Sequence, residues 1–294
     1  MRFGVREICN VVFKARTART IGSKSFSKGE PVLIFDSLKT STLEQAVTPV
    51  YAQGGRGNTR LVAWDGEKTL TFTMEDALIS EMGLAILAGA HLYEAGVNDN
   101  ETGAAKYNTL VVHVSETLQA TEASKLTVTK PISATQTSVY VMELDDETGE
   151  IVKVLTSATG SGTTITATEV TANNSYLVDY YTDVNENAYQ IDIEPETFGG
   201  NFYIEADTLF RDTNGADHAA QFVIPNGKIQ SNLTLTMASS GDPSTFTFTV
   251  DAFPGYVNGD LTKKVLATIQ IIGDDASAGK LDDAAGDDDT EITE

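Results

Sequence analysis

The chain has 294 residues, which is enough for one large β domain or for two ordinary domains, each with its own core. Its single cysteine excludes an intramolecular disulfide, and neither a secretory signal nor an apolar stretch of the roughly 18 residues needed to span a membrane is present. Forty-two acids against 20 bases give a net charge of −22, which argues against binding nucleic acid by phosphate neutralisation. We therefore expect a protein made in a cytoplasm and stabilised by packing alone.

The two ends of the chain carry opposite charge. Residues 1–30 hold seven bases against two acids, whereas residues 274–294 hold nine acids and one lysine. Unlike ends can guide head-to-tail assembly, so we predict contacts to acidic surface on an adjacent subunit or ring from four basic residues: Arg16, Arg19, Lys24 and Lys28. The alternative is a solvated basic turn and a disordered acidic tail.

Apolar residues alternate with threonine along much of the chain, which is the period-2 pattern of strands with one wet face. The block LTFTM at 70–74 is a clear case. Further strands are predicted near 5–14, 31–36, 59–64, 107–115, 200–210, 219–225 and 263–272.

One helix is predicted, over residues 75–88. Thr73 with Asp76 three residues later forms a variant of the capping box, and Gly89 provides a C-terminal stop. The helical spacing places one group of side chains on a single face, which we expect to cover the apolar side of a sheet: Leu78, Met82, Ala85 and Ile86.

The segment 119–186 has the pattern of an inserted unit. A polar connector opens it, and short strands follow near 125–130, 138–144, 150–156, 163–168 and 175–182. Several short strands at this spacing predict a small β-sandwich of the immunoglobulin type.

A long antiparallel hairpin is predicted over 228–253, with a turn at 238–244. Parity gives it an apolar face, formed by Leu233, Leu235, Met237, Phe246, Phe248 and Val250. The opposite face is rich in hydroxyl groups and is formed by Thr234, Thr236, Thr245, Thr247 and Thr249.

Motifs that carry chemistry are weak. The glycine-rich run at 53–58 lacks the lysine and helix of a phosphate-binding loop, and the three histidines have no metal-ligand spacing. The spacing of Asp183, Asn185, Asn187 and Glu194 matches a calcium loop, but Ala188 replaces the required glycine, and a β-turn into a strand at 189–193 is the alternative. We predict no enzyme activity and no catalytic, cofactor-binding or metal-binding residues.

Two segments resemble tail tube proteins of long-tailed bacteriophages: LTFTMEDALIS at 70–80 and KIQSNLTLTMASSGDPSTFTFTVDAF at 228–253. The resemblance covers 1–118 and 187–273 and implies a mainly β fold, a sandwich or partial barrel with one flanking α-helix. The predicted organisation is a tube domain in two parts, 1–118 and 187–273, interrupted by the immunoglobulin-like sandwich at 119–186 and followed by a disordered acidic tail at 274–294.

The resemblance also implies a function. Homo-hexameric rings would stack into the virion tail tube, alongside sheath, tape measure, baseplate or terminator proteins and without membrane contact. The threonine face would line a lumen that lets DNA pass during genome ejection without specific binding, because a negative wall does not attract phosphates. The alternative is another virion β protein, a capsid decoration or an adhesin that stacks sugars on Tyr176, Tyr180 and Tyr181.

Overall fold

The computed structural model describes residues 2–5, 7–96, 109–237, 239–240, 244–257 and 259–272. Strands account for 56% of the structure and helix for 3%, which confirms the predicted mainly β class with one helix. Helix α1 spans Glu81–Ala88. The strands are β1 Phe3–Val5, β2 Asn10–Ala15, β3 Arg19–Ile21, β4 Lys24–Phe26, β5 Pro31–Phe35, β6 Leu38–Gly54, β7 Thr59–Asp76, β8 His91–Glu94, β9 Leu110–Gln119, β10 Lys125–Thr127, β11 Tyr140–Leu144, β12 Ile151–Leu155, β13 Thr159–Ser161, β14 Thr164–Thr166, β15 Ser175–Val184, β16 Tyr189–Asp192, β17 Asn201–Asp212, β18 Asp217–Ile229, β19 Phe246–Ala252 and β20 Thr268–Ile271.

The largest sheet is antiparallel and has the strand order β5-β2-β17-β18-β19-β7-β6, with β1 added on β17 and β20 on β18. Its two outermost strands, β5 and β6, are joined by only two residues, so the sheet must curl until its ends approach each other. A hydrogen bond from the Cys9 backbone N–H to Ser41 Oγ (3.3 Å) links the two ends. The sheet remains open, without barrel closure.

The main core fills the inside of this curl. Alternate residues of the sheet turn their side chains inward, and Phe13, Phe202 and Phe248 are fully buried. The Phe35 ring on β5 contacts the Phe248 ring on β19 across the inside of the curl, with ring centroids 4.8 Å apart. Burying each such side chain contributes about 1.5–3 kcal/mol, so this cluster is a major source of stability.

Helix α1 begins later than the sequence predicts. Its N-cap is Ser80, whose side chain accepts a hydrogen bond from the Gly83 N–H (3.0 Å), and not Thr73. Residues 75–76 instead continue strand β7, where the buried Asp76 carboxylate accepts hydrogen bonds from Ser37 and from the Leu78 backbone.

The C-terminal part of the predicted helix is confirmed. Gly89 ends the helix with a φ of 63°, and Met82, Ala85 and Ile86 are buried in the main core, so α1 covers the apolar side of the sheet as expected. Leu78, which lies before the helix, is 70% exposed and does not belong to that face.

The prediction of a strand as the first arm of the 228–253 hairpin is wrong. Strand β18 ends at Ile229, and only Gly227, Lys228 and Ile229 pair with β19. The chain then turns away, because the Asn232 N–H bonds to the Gln230 carbonyl (2.8 Å), and residues 231–237 form no strand. Leu235 and Met237 are therefore exposed, at 46% and 88%.

The second arm follows the predicted parity. Phe248 and Val250 are fully buried, whereas Thr247 is exposed. The main partner of β19 is β7, with Phe248 opposite Met74 and Thr247 opposite Glu75.

A second, separate cluster of buried residues lies between residues 110 and 184. One sheet has the order β12-β11-β15-β9 and another has the order β10-β14-β13. The buried residues of these two sheets include Leu126, Val141, Ile165, Tyr176 and Tyr180. Each of the five strands predicted in 119–186 overlaps an observed strand.

Strand β9, which the sequence analysis assigned to the tube domain, pairs with β15 along its whole length, from Leu110↔Val184 to Gln119↔Ser175. The immunoglobulin-like classification of 119–186 stays a prediction. The predicted acidic tail at 274–294 lies outside the described residues.

Candidate assembly surfaces

The outward side of strands β19, β7 and β6 carries a regular polar face. Because these strands pair in register, the outward side chains form three rows of three residues, which we call the threonine–acid face: Thr247–Glu75–Thr40, Thr249–Thr73–Thr42 and Asp251–Thr71–Glu44. Lys228 on β18 stands opposite Asp251 at one border. Six hydroxyl groups and three acids within this face give it a wet, negative character without a base among the nine.

Two of the five threonines predicted to face a lumen lie on this surface. Thr247 and Thr249 belong to it, and Thr245 precedes β19 and is half-buried. Thr234 and Thr236 are exposed but lie in the non-strand segment 231–237, away from the paired rows. Thr40 and Thr42 were not predicted for this face, because the stretch around them in β6 lacks the alternation of apolar residues with threonine that residues 70–74 show.

Strands β6 and β7 form a hairpin that extends beyond the sheet. The last pair with a buried residue is Gln45↔Leu70, and pairing continues to Gly54↔Thr59, where residues 55–58 form the turn. This free part is nine residues long on β6, or about 30 Å at the usual rise per residue. The glycine-rich run at 53–58 is thus the end of a hairpin.

One side of the projecting hairpin is apolar. The pairs Val50↔Trp64 and Ala52↔Val62 place four apolar side chains together on it. Val50 is 59% exposed and Trp64 is 56% exposed. On the opposite side the Arg60 guanidinium lies 4.0 Å from the centre of the Tyr51 ring. A two-stranded hairpin is marginally stable alone in water, and a contiguous apolar patch is typical of an interaction surface.

Two of the four basic residues predicted to contact a neighbour have partners within their own chain. Arg16 donates from Nη1 to Asn226 Oδ1 (2.8 Å), and the Arg19 guanidinium lies 4.6 Å from the centre of the Phe202 ring. Both side chains are therefore engaged within their own chain. Lys24 and Lys28 are exposed, so their contact with a neighbour stays a prediction.

The calcium-loop residues make other contacts. Asp183 Oδ2 accepts from the Ala134 N–H (3.1 Å), Asn185 Oδ1 accepts from Thr109 (2.6 Å), and Glu194 lies 3.7 Å from His91. Asn187 has a φ of 54° just before β16, which favours the β-turn interpretation. Within the described ranges, no three or more His, Cys, Asp or Glu residues are grouped to hold a metal ion.

The tyrosines considered for sugar stacking do not form an exposed cluster. Tyr176 and Tyr180 are fully buried, and Tyr180 Oη donates to Glu116 Oε1 (3.0 Å) while it accepts from the Lys130 N–H. Burial also raises the pKa of the Tyr180 hydroxyl. Tyr181 lies beside His113, with ring centroids 5.7 Å apart. Two of the three rings are core residues, so the adhesin interpretation loses its motivating feature.

The described residues include no helix with the length and apolar character that a membrane crossing requires. By sequence, residues 20–265 match the YomU/Tube protein family, and the chain belongs to that family. No curated protein matches the chain. Membership in a tube family points to a phage tube structural protein of the virion.

Proposed function

We propose that this chain is the repeating subunit of a phage tail tube, assembled as hexameric rings that stack around a lumen for genome ejection. The observation that carries the proposal is the hairpin of β6 and β7. It presents Val50, Val62 and Trp64 to solvent on a part of the chain where, among the described strands, β6 and β7 pair only with each other. A neighbouring subunit that covers this apolar side would stabilise both the hairpin and the assembly.

The threonine–acid face suits the lumen wall. Its three acids repel phosphates, and its threonines keep the wall wet. DNA would then pass without being held, since retention on a wall requires cationic side chains that displace counterions.

The unit formed by residues 110–184 would decorate the outside of such a tube. Its first and last strands are paired, with Leu110 opposite Val184, so the chain enters and leaves it at one place. Closely spaced ends are the condition under which an inserted unit leaves its host fold intact.

The test compares the protein with two hairpin variants by electron microscopy and sedimentation. Trp64→Ser combined with Val62→Ser removes the apolar side, and Glu67→Ser, on the same hairpin, is the matched control. We expect rings or tubes from the wild type and the control, and folded monomers from the double variant. Monomers from the wild type, or unimpaired tubes from the double variant, would contradict the proposal.

A further inference from the structure

A basic cleft stands out in this acidic protein. It has a volume of about 520 Å³ and lies where β2 ends and β17 begins, beside the loop that follows β19. Lys14, Arg16 and Lys28 supply its charge, and Tyr203 and Tyr256 form its walls. Lys264 adds a fourth base, with Nζ 5.7 Å from the centre of the Tyr256 ring.

Within the part of the chain that the structure describes, Lys14 is the cleft base that forms an ion pair. Lys14 forms an ion pair with Glu205, but Arg16 donates to the neutral amide of Asn226. Lys28 and Lys264 are exposed. Leu261, which also lines the cleft, is 73% exposed and adds an apolar wall. The cleft thus suits an acidic peptide that carries an occasional apolar side chain.

The chain itself contains such a peptide. Residues 274–294 hold nine acids and one lysine, and Leu281 stands directly before Asp282 and Asp283. This segment follows β20, the last strand of the sheet.

The direction of β20 places Ile272, the last described residue, at the opposite end of the β18 pairing from the cleft of the same subunit. Strand β20 runs antiparallel to β18, from Thr268↔Val223 to Ile271↔Ala220, and the Ile272 N–H bonds to the Ala219 carbonyl. The cleft lies at Pro225, beyond the other end of that pairing. The separation is six residues along β18, or about 20 Å. The chain therefore leaves the sheet at one end, and the cleft opens at the other.

We propose that the acidic C-terminal segment of one subunit binds in the basic cleft of a subunit in the next ring. The inference rests on the proposed tube, because head-to-tail stacking brings unlike ends of successive subunits together. In this arrangement Lys28, one of the four basic residues predicted to contact a neighbour, binds the acidic segment of the next ring. Lys264 binds the same segment.

Disulfide trapping between different chains tests this directly. Tubes are assembled from an equal mixture of Lys28→Cys and Asp283→Cys proteins and then oxidised. The native Cys9 is buried, and burial raises the pKa of its thiol, so it does not compete. We expect a disulfide-linked dimer that contains one copy of each variant. Lys130 is an exposed lysine of the unit formed by residues 110–184, and Lys130→Cys is the matched control for Lys28→Cys.

A dimer yield no higher than that of the Lys130→Cys control would overturn the proposal. An intrachain disulfide in the double variant Lys28→Cys/Asp283→Cys would also overturn it, because the segment would then fold back on its own subunit. Both results are read on tubes, so they leave the proposed function standing. A wild type that forms no tubes would instead remove the proposed function first.

Charge reversal gives an independent readout. Lys28→Glu with Lys264→Glu should raise the critical concentration for polymerisation about tenfold or more at low salt, and adding Asp282→Lys with Asp283→Lys should restore most of it. An unchanged critical concentration, or a loss that the second pair does not restore, would contradict pairing between these groups.

Discussion

Neighbouring side chains on β19 have opposite surroundings. Phe248 is fully buried against Phe35, whereas Thr247 is exposed on the threonine–acid face. Phe248→Ala should lower the free energy of unfolding by about 3–5 kcal/mol, because it removes a large ring and leaves a cavity. Thr247→Ala should change it by about 0.5 kcal/mol or less. Urea denaturation measures both, and equal effects at the two positions would show that the assignment of faces is wrong.

Asp212 organises the turn between β17 and β18. Hydrogen bonds from the backbone N–H groups of Ala216 (3.0 Å) and Asn214 (2.8 Å) hold the pKa of its carboxyl below the ordinary value of 3.8. A carboxyl whose pKa is lowered by folding stabilises the protein above its unfolded pKa, and this contribution is lost as the pH falls through the folded pKa.

Asp212→Ala should therefore destabilise the protein at neutral pH, and the difference from wild type should shrink as the pH falls below about 3.8. Thermal unfolding between neutral and acid pH measures it, with the exposed Asp65→Ala as the control. A difference that stays constant down to the acid limit would mean that the turn depends on the shape of Asp212 and not on its charge.

At the scale of elements, the alternation of apolar and polar residues predicted where strands lie but not which strands pair with each other. The blocks at 70–74 and 246–250 become buried–exposed strands because their apolar residues reach the core. The block at 233–237 has the same alternation, but β19 already pairs with β7, and Leu235 and Met237 find no core. Much of β6 has no apolar alternation and is a strand only because it pairs with β7. The pairing of β19 with β7 joins residues that are far apart in the sequence, which local patterns do not encode.

The helix start illustrates a competition between local signals. Thr73 and Asp76 have the spacing of a helix cap, yet pairing with β19 and β6 keeps residues 73–76 in β7. The observed N-cap is Ser80, seven residues after Thr73. Of the candidate surfaces, the threonine character of the polar face was predictable, but the projecting hairpin and the basic cleft were not. The cleft is formed by residues from distant segments of the chain, and the hairpin projects because β6 and β7 pair beyond the edge of the sheet.

Trp64 is the single tryptophan of the chain, so it reports on the hairpin without labelling. It is 56% exposed in the isolated subunit. Its fluorescence emission should shift to shorter wavelength during assembly, because a neighbouring subunit covers the apolar side of the hairpin. Emission that remains that of an exposed indole in intact tubes would place the hairpin outside the interfaces.

At the scale of the whole molecule, two separate cores predict two separable roles. Replacing residues 110–184 with a short Gly/Ser linker should leave tube assembly intact, since Leu110 and Val184 are paired neighbours and the second cluster has its own buried residues. Electron microscopy of the deletion variant measures the result. A variant that folds but forms no tubes would assign residues 110–184 to the ring or stacking interface.

The most direct test of the account is a cryo-electron microscopy reconstruction of the assembled protein. We expect stacked rings in which Thr42, Thr73 and Thr249 face a central lumen and the hairpin of β6 and β7 is covered by a neighbouring subunit. A tube with the threonine–acid face buried between subunits or turned to the outside, or a protein that stays monomeric under all assembly conditions, would contradict it.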